Sequence, residues 1–233
     1  MTQVTVIVMA KECVRGHVKT RMHPPFSLEE AARIAQASLD DTMASLLQVD
    51  AHRVLCVQGL LAPVQGFTQI PQTTGGLDAR IADVLDTVQG RVLLIGMDTP
   101  QLDTRLLQAL AKGWPTNMDA CFGAATDGGF WLLGLDAQER LEPRLEGGLT
   151  RGDLVRGVPM SQPDTGEQQR SRLSAAGLRI LDLPELTDID DAASLLQVSQ
   201  HLAPGSHLLS VLSELETWTT LTRYLTSAAE SVA

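Results

Sequence analysis

Between Ala10 and Arg21 the chain reads Ala-Lys-Glu-Cys-Val-Arg-Gly-His-Val-Lys-Thr-Arg, which sets four cations, Lys11, Arg15, Lys19 and Arg21, against one anion. Planar guanidinium groups clamp oxyanions bidentately and ammonium groups act as point charges, so this stretch suits a phosphorylated ligand, with Gly16 permitting a tight backbone path. Its other reading is a solvated loop. A second group is Gly96-Met-Asp98-Thr-Pro100, and a third is Asp188-Ile-Asp190-Asp191, where extended geometry puts Asp188 and Asp190 on one side of the chain. Asp98, Asp188 and Asp190 offer the oxygen ligands that a hard divalent ion takes, Mg²⁺ or Mn²⁺. The competing reading makes Asp98 a helix cap and Asp190 or Asp191 the cap of the helix that follows.

Other chemistries find little footing. The strings G-x-x-x-x-G-K-[ST], G-x-S-x-G and H-E-x-x-H are absent, and the five histidines do not cluster at metal-ligand spacing; only His17 lies in the basic stretch. A net charge of −10 over 233 residues repels nucleic acid and anionic membranes, and no basic-aromatic interleaving surrounds the three tryptophans. Cys13, Cys56 and Cys121 are odd in number and lack C-x-x-C spacing, which points to a reducing, cytoplasmic setting rather than to disulfides or structural zinc. Cys13 sits among cations that lower a thiol's pKa, yet an idle thiol fits as well. No apolar run approaches a membrane span, and the first residues lack a cationic leader.

These residues need a scaffold. Val4 to Met9 is a short β-branched, apolar run, the mark of a strand buried on both faces of a parallel sheet. Ser27-Leu-Glu-Glu30 has the form of a capping box and opens a helix to about Leu47, with Ala31, Ile34, Ala35, Leu39, Met43 and Leu46 on one face. Strands follow at 54–57 and 91–95 around a helix at 77–88. Thr99, with Pro100 behind it, reads as the cap of a helix reaching Lys112. Both the basic stretch and Asp98 therefore come directly after buried strands, at the carboxyl edge where open α/β sheets bind ligands. In the second half, 120–125 and 130–135 flank Thr-Asp-Gly-Gly, so the sheet is expected to be mixed. Asp164 and Glu167 fit a capping box for a helix to 176, 178–183 a strand, and 192–202 a helix. After residue 203 the spacing of Leu208, Val211, Leu212, Leu215, Trp218, Leu221 and Leu225 describes one amphipathic helix, packed on residues 1–203 or on a second copy in a homodimer.

The ordered motifs A-K-x-C-x-x-G-x-V-K-T-R, G-M-D-T-P, A-T-D-G-G-F-W-L-L-G-L, S-Q-P-D-T-G and T-D-I-D, spread over residues 4–196, resemble a glycosyltransferase-A-like bacterial family of transferases, of the rSAM/selenodomain-associated type. More distantly they are similar to phospholactate and molybdenum-cofactor guanylyltransferases. The resemblance implies a three-layer α/β/α nucleotide-diphospho-sugar transferase fold with a mixed, mainly parallel sheet. It implies that Lys11, Lys19 and Arg21 bind phosphates, with Arg15 and Gly16 in the same loop, and that Gln72, Gly75 and Gly76 read the nucleobase. It further implies that Asp98, Asp188 and Asp190 hold the metal and that Asp127, Gly128 and Gly129 line the acceptor side, although composition alone reads that turn as a hairpin. The chain departs from the family pattern at Arg15, His17 and Phe130, where Pro, Arg and Tyr are usual.

The function expected on these grounds is nucleotidyl transfer from a nucleoside triphosphate to a small anionic acceptor, with Lys11, Lys19, Arg21 and Asp98 as its catalytic groups. Glycosyl transfer from a nucleoside-diphospho-sugar is the alternative, and an idle nucleotide-binding protein is the third. A small-molecule acceptor is expected in either reaction, and no nucleic acid or membrane.

Overall fold

The computed structural model describes residues 4–143 and 145–230, with side chains up to Arg223 except that of Glu146. Seven strands form one sheet: β1 (Thr5–Lys11), β2 (His52–Gln58), β3 (Thr68–Pro71), β4 (Val92–Gly96), β5 (Ala120–Ala125), β6 (Phe130–Leu135) and β7 (Ile180–Leu186), in the order β3-β2-β1-β4-β6-β5-β7. Strand β1 pairs in parallel with β2 and β4, β2 with β3, and β5 with β7; β6 runs antiparallel to both β4 and β5. The sheet is thus mixed and mainly parallel, with β6 its one reversed strand.

Physical chemistry accounts for the centre. In β1 only Lys11 is exposed, and its β-branched side chains are flanked by parallel neighbours. One face carries Ile7, Met9, Val54, Cys56, Val92 and Leu94 into a core with Ile81, Val84 and Leu85. The alternating residues Val6, Val8, Leu55, Leu93 and Ile95 are fully buried on the other face. Burial pushes the Cys56 thiol up to about 11, and burial together with Asp136 pushes Cys121 up to about 12. Neither is a thiolate nucleophile at neutral pH.

The helices are α1 (Leu28–Leu46), α2 (Leu77–Thr87), α3 (Thr104–Lys112), α4 (Gln138–Leu141), α5 (Thr165–Ala175), α6 (Ala192–Ser199), α7 (His207–Glu214) and α8 (Glu216–Glu230). Ser27 and Glu30 cap α1 reciprocally, Ser27 N donating to Glu30 Oε2 at 2.7 Å and Glu30 N to Ser27 Oγ at 3.2 Å. Helix α3 departs from the sequence reading: it starts at Thr104 and is capped by Asp103, whose carboxylate accepts from Arg105 N at 2.8 Å. Thr99 caps nothing. Asp164 stands at the N-cap of α5 but makes no side-chain capping bond. None of the described helices is long and apolar enough to cross a membrane.

Two compact units divide the chain. Unit one comprises Met1–Glu12, Ser45–Met97 and Leu102–Asp188, and unit two Cys13–Ala44, Asp98–Gln101 and Ile189–Ala233. The segment after residue 203, expected as one helix, is two, parted at Leu215. Within unit two Leu208, Leu212 and Leu215 are buried with Met22, Phe26, Ile34 and Ile189, and Trp218 and Leu221 pack on that cluster. The side chain of Leu225 lies outside the described residues. Asp41 anchors α7, accepting from His207 N at 2.7 Å and Leu208 N at 2.9 Å.

In unit one, two of the sequence motifs turn out to be halves of one joint. Gly166 N donates to Gly128 O at 2.7 Å. A Cβ on Gly128 would overlap Pro163 O, and one on Gly166 would overlap Gly129 O. Gly128 also has a φ of +89°. Glycine is therefore required at both contacts. Gly166→Ala is expected to destabilise the protein by about 1–3 kcal/mol. Urea unfolding should show this as a lower midpoint at an unchanged slope.

Candidate active site

The chain leaves β1 and β4 side by side and in the same direction, because the two strands are parallel neighbours with Met9 opposite Gly96. Unit two holds an ion cluster. Lys19 Nζ lies 2.8 Å from Asp98 Oδ2 and 3.1 Å from Asp190 Oδ1, and Arg21 Nη2 lies 3.3 Å from Asp190 Oδ2. The Lys19 side chain is 7% exposed, those of Asp98 and Asp190 31% and 23%, and that of Arg21 76%. Burial alone would lower the Lys19 pKa, but the charges and hydrogen bonds of Asp98 and Asp190 outweigh it and hold it above its ordinary value.

Local structure explains how Lys19 is aimed. Val18 is buried against Ala32 and Ala35, with Cys13 packed beside them, and Met22 and Phe26 are fully buried in the core of unit two. Between these anchors Lys19 takes a left-handed conformation, φ 47° and ψ 38°, and caps a 3₁₀ turn over Thr20–Met22. A lysine there is strained at a cost of about 1–3 kcal/mol, a pattern concentrated at functional sites. Arg15 and His17 on the same loop are exposed, and Gly16 has a φ of +78°.

The run Asp188-Ile-Asp190-Asp191 divides its roles by position. Ile189 is fully buried, and its N–H donates to Asp98 O at 2.9 Å. Asp191 is the cap of α6, in a reciprocal capping box with Ser194. That frees Asp190 for Lys19 and Arg21. Asp98 Oδ1 is buried with no hydrogen-bond partner among the described residues, as is Thr99 Oγ1. Among those residues no group of three or more His, Cys, Asp or Glu is arranged to hold a metal ion. The structure thus gathers Lys19, Arg21, Asp98 and Asp190, while Asp188 is the last residue of unit one.

In unit one, Lys11 ends β1 and is exposed, with its N–H 3.4 Å from Met97 Sδ. Gln72 is a clip rather than a free reader: its Nε2 donates to Ala10 O at 2.8 Å and Cys56 O at 3.1 Å, and its Oε1 accepts from Arg80 Nη1 at 3.3 Å. Arg80 also donates from Nε to Gly75 O at 2.9 Å and from Nη1 to Gln58 Oε1 at 2.7 Å. It thereby fixes the turn in which Gly75 has a φ of +107° and Gly76 caps α2. The sequence reading missed Arg80, although a cation in the first turn of a helix, where the dipole disfavours it, is a visible signal.

Asp127 folds its own turn, accepting from Gly129 N at 2.8 Å. Beside Gly128 and Gly129 lies a cavity of about 420 Å³, also lined by Phe122, Pro163, Gly166, Glu167 and Arg170. Asp164, Asp182 and Glu185 line it too, so its carboxylates outnumber its single arginine, a balance opposite to what the expected anionic acceptor would need.

Replacing Lys19 by Met would leave two partly buried carboxylates facing each other, so Lys19→Met is expected to cost about 1–3 kcal/mol in urea unfolding at pH 7. The pKa of Lys19 is raised on folding, so its contribution is whole below its ordinary value of 10.5 and is lost as pH rises through the raised one. The alkaline decline in stability should therefore be shallower in Lys19→Met than in the parent.

Comparison with known proteins adds to this geometry. No curated protein matches the sequence. A crystal structure from Desulfovibrio desulfuricans G20, of a protein proposed to be a nucleotide-diphospho-sugar transferase, is similar with a TM-score of 0.73 and 21% identity, over 96% of this chain and 95% of that one. CMP:2-keto-3-deoxy-manno-octonic acid synthetase complexed with CTP is similar with a TM-score of 0.52 and 14% identity, over 86% of this chain and all of that one. The 4-diphosphocytidyl-2C-methyl-D-erythritol synthase of Anaerococcus prevotii gives a TM-score of 0.54 at 7% identity, over 86% and 96%. At such identities the likeness concerns the fold, which is the glycosyltransferase-A-like, nucleotide-diphospho-sugar transferase fold. One family model covers residues 33–162, a stretch that holds Gln72, Asp98 and the Asp127-Gly-Gly turn but neither Lys19 nor Asp190. The chain belongs to that family, described as uncharacterized protein conserved in bacteria (DUF2064).

Proposed function

We propose that this protein is a divalent-metal-dependent transferase that uses a nucleotide, and specifically that it transfers a nucleotidyl group from a nucleoside triphosphate to a small-molecule acceptor. The observation that carries this reading is the buried Lys19 ammonium, held in a strained backbone between Asp98 and Asp190. Its support in the fold is the likeness to enzymes that act on nucleotides.

In this reaction an acceptor oxygen attacks the α-phosphorus, the bond from that phosphorus to the bridging oxygen breaks, and pyrophosphate leaves. The chain's contribution is orientation and neutralisation of charge rather than covalent chemistry. Lys19 and Arg21, with Lys11 and Arg15 as further cations of the loop, would neutralise phosphate oxygens. Gln72, Gly75 and Gly76 would form the nucleobase side, as a rigid turn held by Arg80. Cys13 has a packing role against Val18 and is not needed as a nucleophile.

The donor set fits a hard cation. Mg²⁺ is commonly held by one or two carboxylates and completes its shell with phosphate and water. Asp98, with its unpartnered Oδ1, and Asp190 would hold the ion, and Asp188 is the third candidate. A bound Mg²⁺ or Mn²⁺ would supply positive charge to phosphate oxygens. The protein is proposed to work in the cytoplasm.

Thermal shift against nucleoside triphosphates and nucleoside-diphospho-sugars, each with and without Mg²⁺ or Mn²⁺, tests this directly. A metal-dependent rise in Tm with one triphosphate is expected. A rise with a nucleotide-sugar alone would replace nucleotidyl by glycosyl transfer, and no rise with either class would refute a nucleotide-using enzyme. Asp98→Asn is expected to lower the rate of pyrophosphate release by about 10²–10³, as removal of one preorganised electrostatic group does. An unchanged rate would take Asp98 out of the site.

A further inference from the structure

The cavity at the glycine joint of unit one has a chemistry of its own. Phe122, Ala124 and Leu183 give it an apolar lining, while its charged lining is Asp164, Glu167, Arg170, Asp182 and Glu185. The only cation in that set is already engaged: Arg170 Nε and Nη2 donate to the two Asp182 oxygens at 2.8 and 2.7 Å. Asp164, Glu167 and Glu185 make no side-chain hydrogen bond or ion pair among the described residues. Part of its wall is glycine backbone at which a side chain cannot be added, since a Cβ on Gly128 or Gly166 would overlap Pro163 O or Gly129 O.

Three carboxylates without an ion-pair partner among the described residues line one concavity together with apolar surface, and a cation entering it meets charge of the opposite sign. An anion would meet the same field with the opposite sign. The apolar surface inside contributes area to a ligand that carries a hydrocarbon body behind its charge. We propose that this cavity is a binding site for an organic amine, a protonated ammonium group on an apolar chain or ring, with Glu167 and Glu185 facing the ammonium group. Identification of such a ligand as the acceptor, through a hydroxyl carried on the same chain or ring, rests on the transferase reading above; its binding does not.

Hexylammonium, hexanol and hexanoate share one apolar chain and differ in charge, so their titration into the full-length protein at pH 7 by ligand-observed NMR isolates the electrostatic part. Hexylammonium is expected to bind about tenfold more tightly than hexanol, and hexanoate more weakly than either. In the Glu167→Gln/Glu185→Gln double variant, altered at two exposed positions, the preference for hexylammonium over hexanol should shrink to within about threefold at an unchanged Tm. Equal binding of the three probes, or a preference that survives in the double variant, would overturn the proposal. Nucleotide thermal shifts on the same samples keep the two readings apart: amine binding without any nucleotide response removes the transferase reading and leaves the cavity assignment. A nucleotide response without amine preference removes the cavity assignment alone.

Discussion

A single ammonium group ties unit two together. The unit is built from three separated stretches of chain, 13–44, 98–101 and 189–233, and Lys19, Asp98 and Asp190 come one from each. A lysine 7% exposed is unfavourable unless its charge is met, and two carboxylates meet it here. Attraction at this depth is less screened than at the surface, so the three loops hold each other in register. The left-handed backbone of Lys19 is tolerated because Val18 and Met22 on either side are locked into apolar clusters. What results is a charged cluster whose geometry is fixed before any ligand arrives.

Unit one depends on its strand order. Strands β1 and β4 are adjacent and parallel although the chain between them runs through α1, β2, β3 and α2. A crossover topology of this kind makes neighbouring strands end at one carboxyl edge, and the point where connections diverge from a central strand is where open α/β sheets place their ligands. The reversed strand β6 has a different effect. By inserting between β4 and β5 it sends the Asp127-Gly-Gly turn to the same carboxyl edge, where Gly128 and Gly166 let two backbones touch. Catalytic-looking sequence can therefore be architecture: Asp127 and Gly128 have structural reasons to be there.

The same lesson holds in the acidic run before α6. Burial of Ile189 forces alternation, Asp191 satisfies the helix N-terminus, and Asp190 alone of the two is left for the cations. Gln72 shows the reverse. A residue whose type suits base recognition spends both ends of its amide on Ala10, Cys56 and Arg80, so the turn it belongs to is rigid and the side chain itself is occupied.

The amino-acid sequence alone determined the elements with a local signature: the short apolar runs of β1, β2 and β4, and the 3.6-residue apolar spacing of α1 with its Ser27–Glu30 cap, need no partner to be recognised. It also determined the mixed α/β class and the residue types of the charged loop. It missed β3, four residues none of which is buried, because an edge strand of that length leaves almost no periodicity. It put the cap of α3 at Thr99, because Thr-Pro is a sound local cap, whereas the chain spends 98–101 in unit two and begins the helix only at Thr104, capped by Asp103. Only the tertiary structure decided that Lys19 meets both Asp98 and Asp190, that the two glycine motifs are one joint, and that the cavity beside them is acidic. Each of these is a pairing between residues tens of positions apart. Coulomb and packing energies act through space, and a local sequence window carries no term for them.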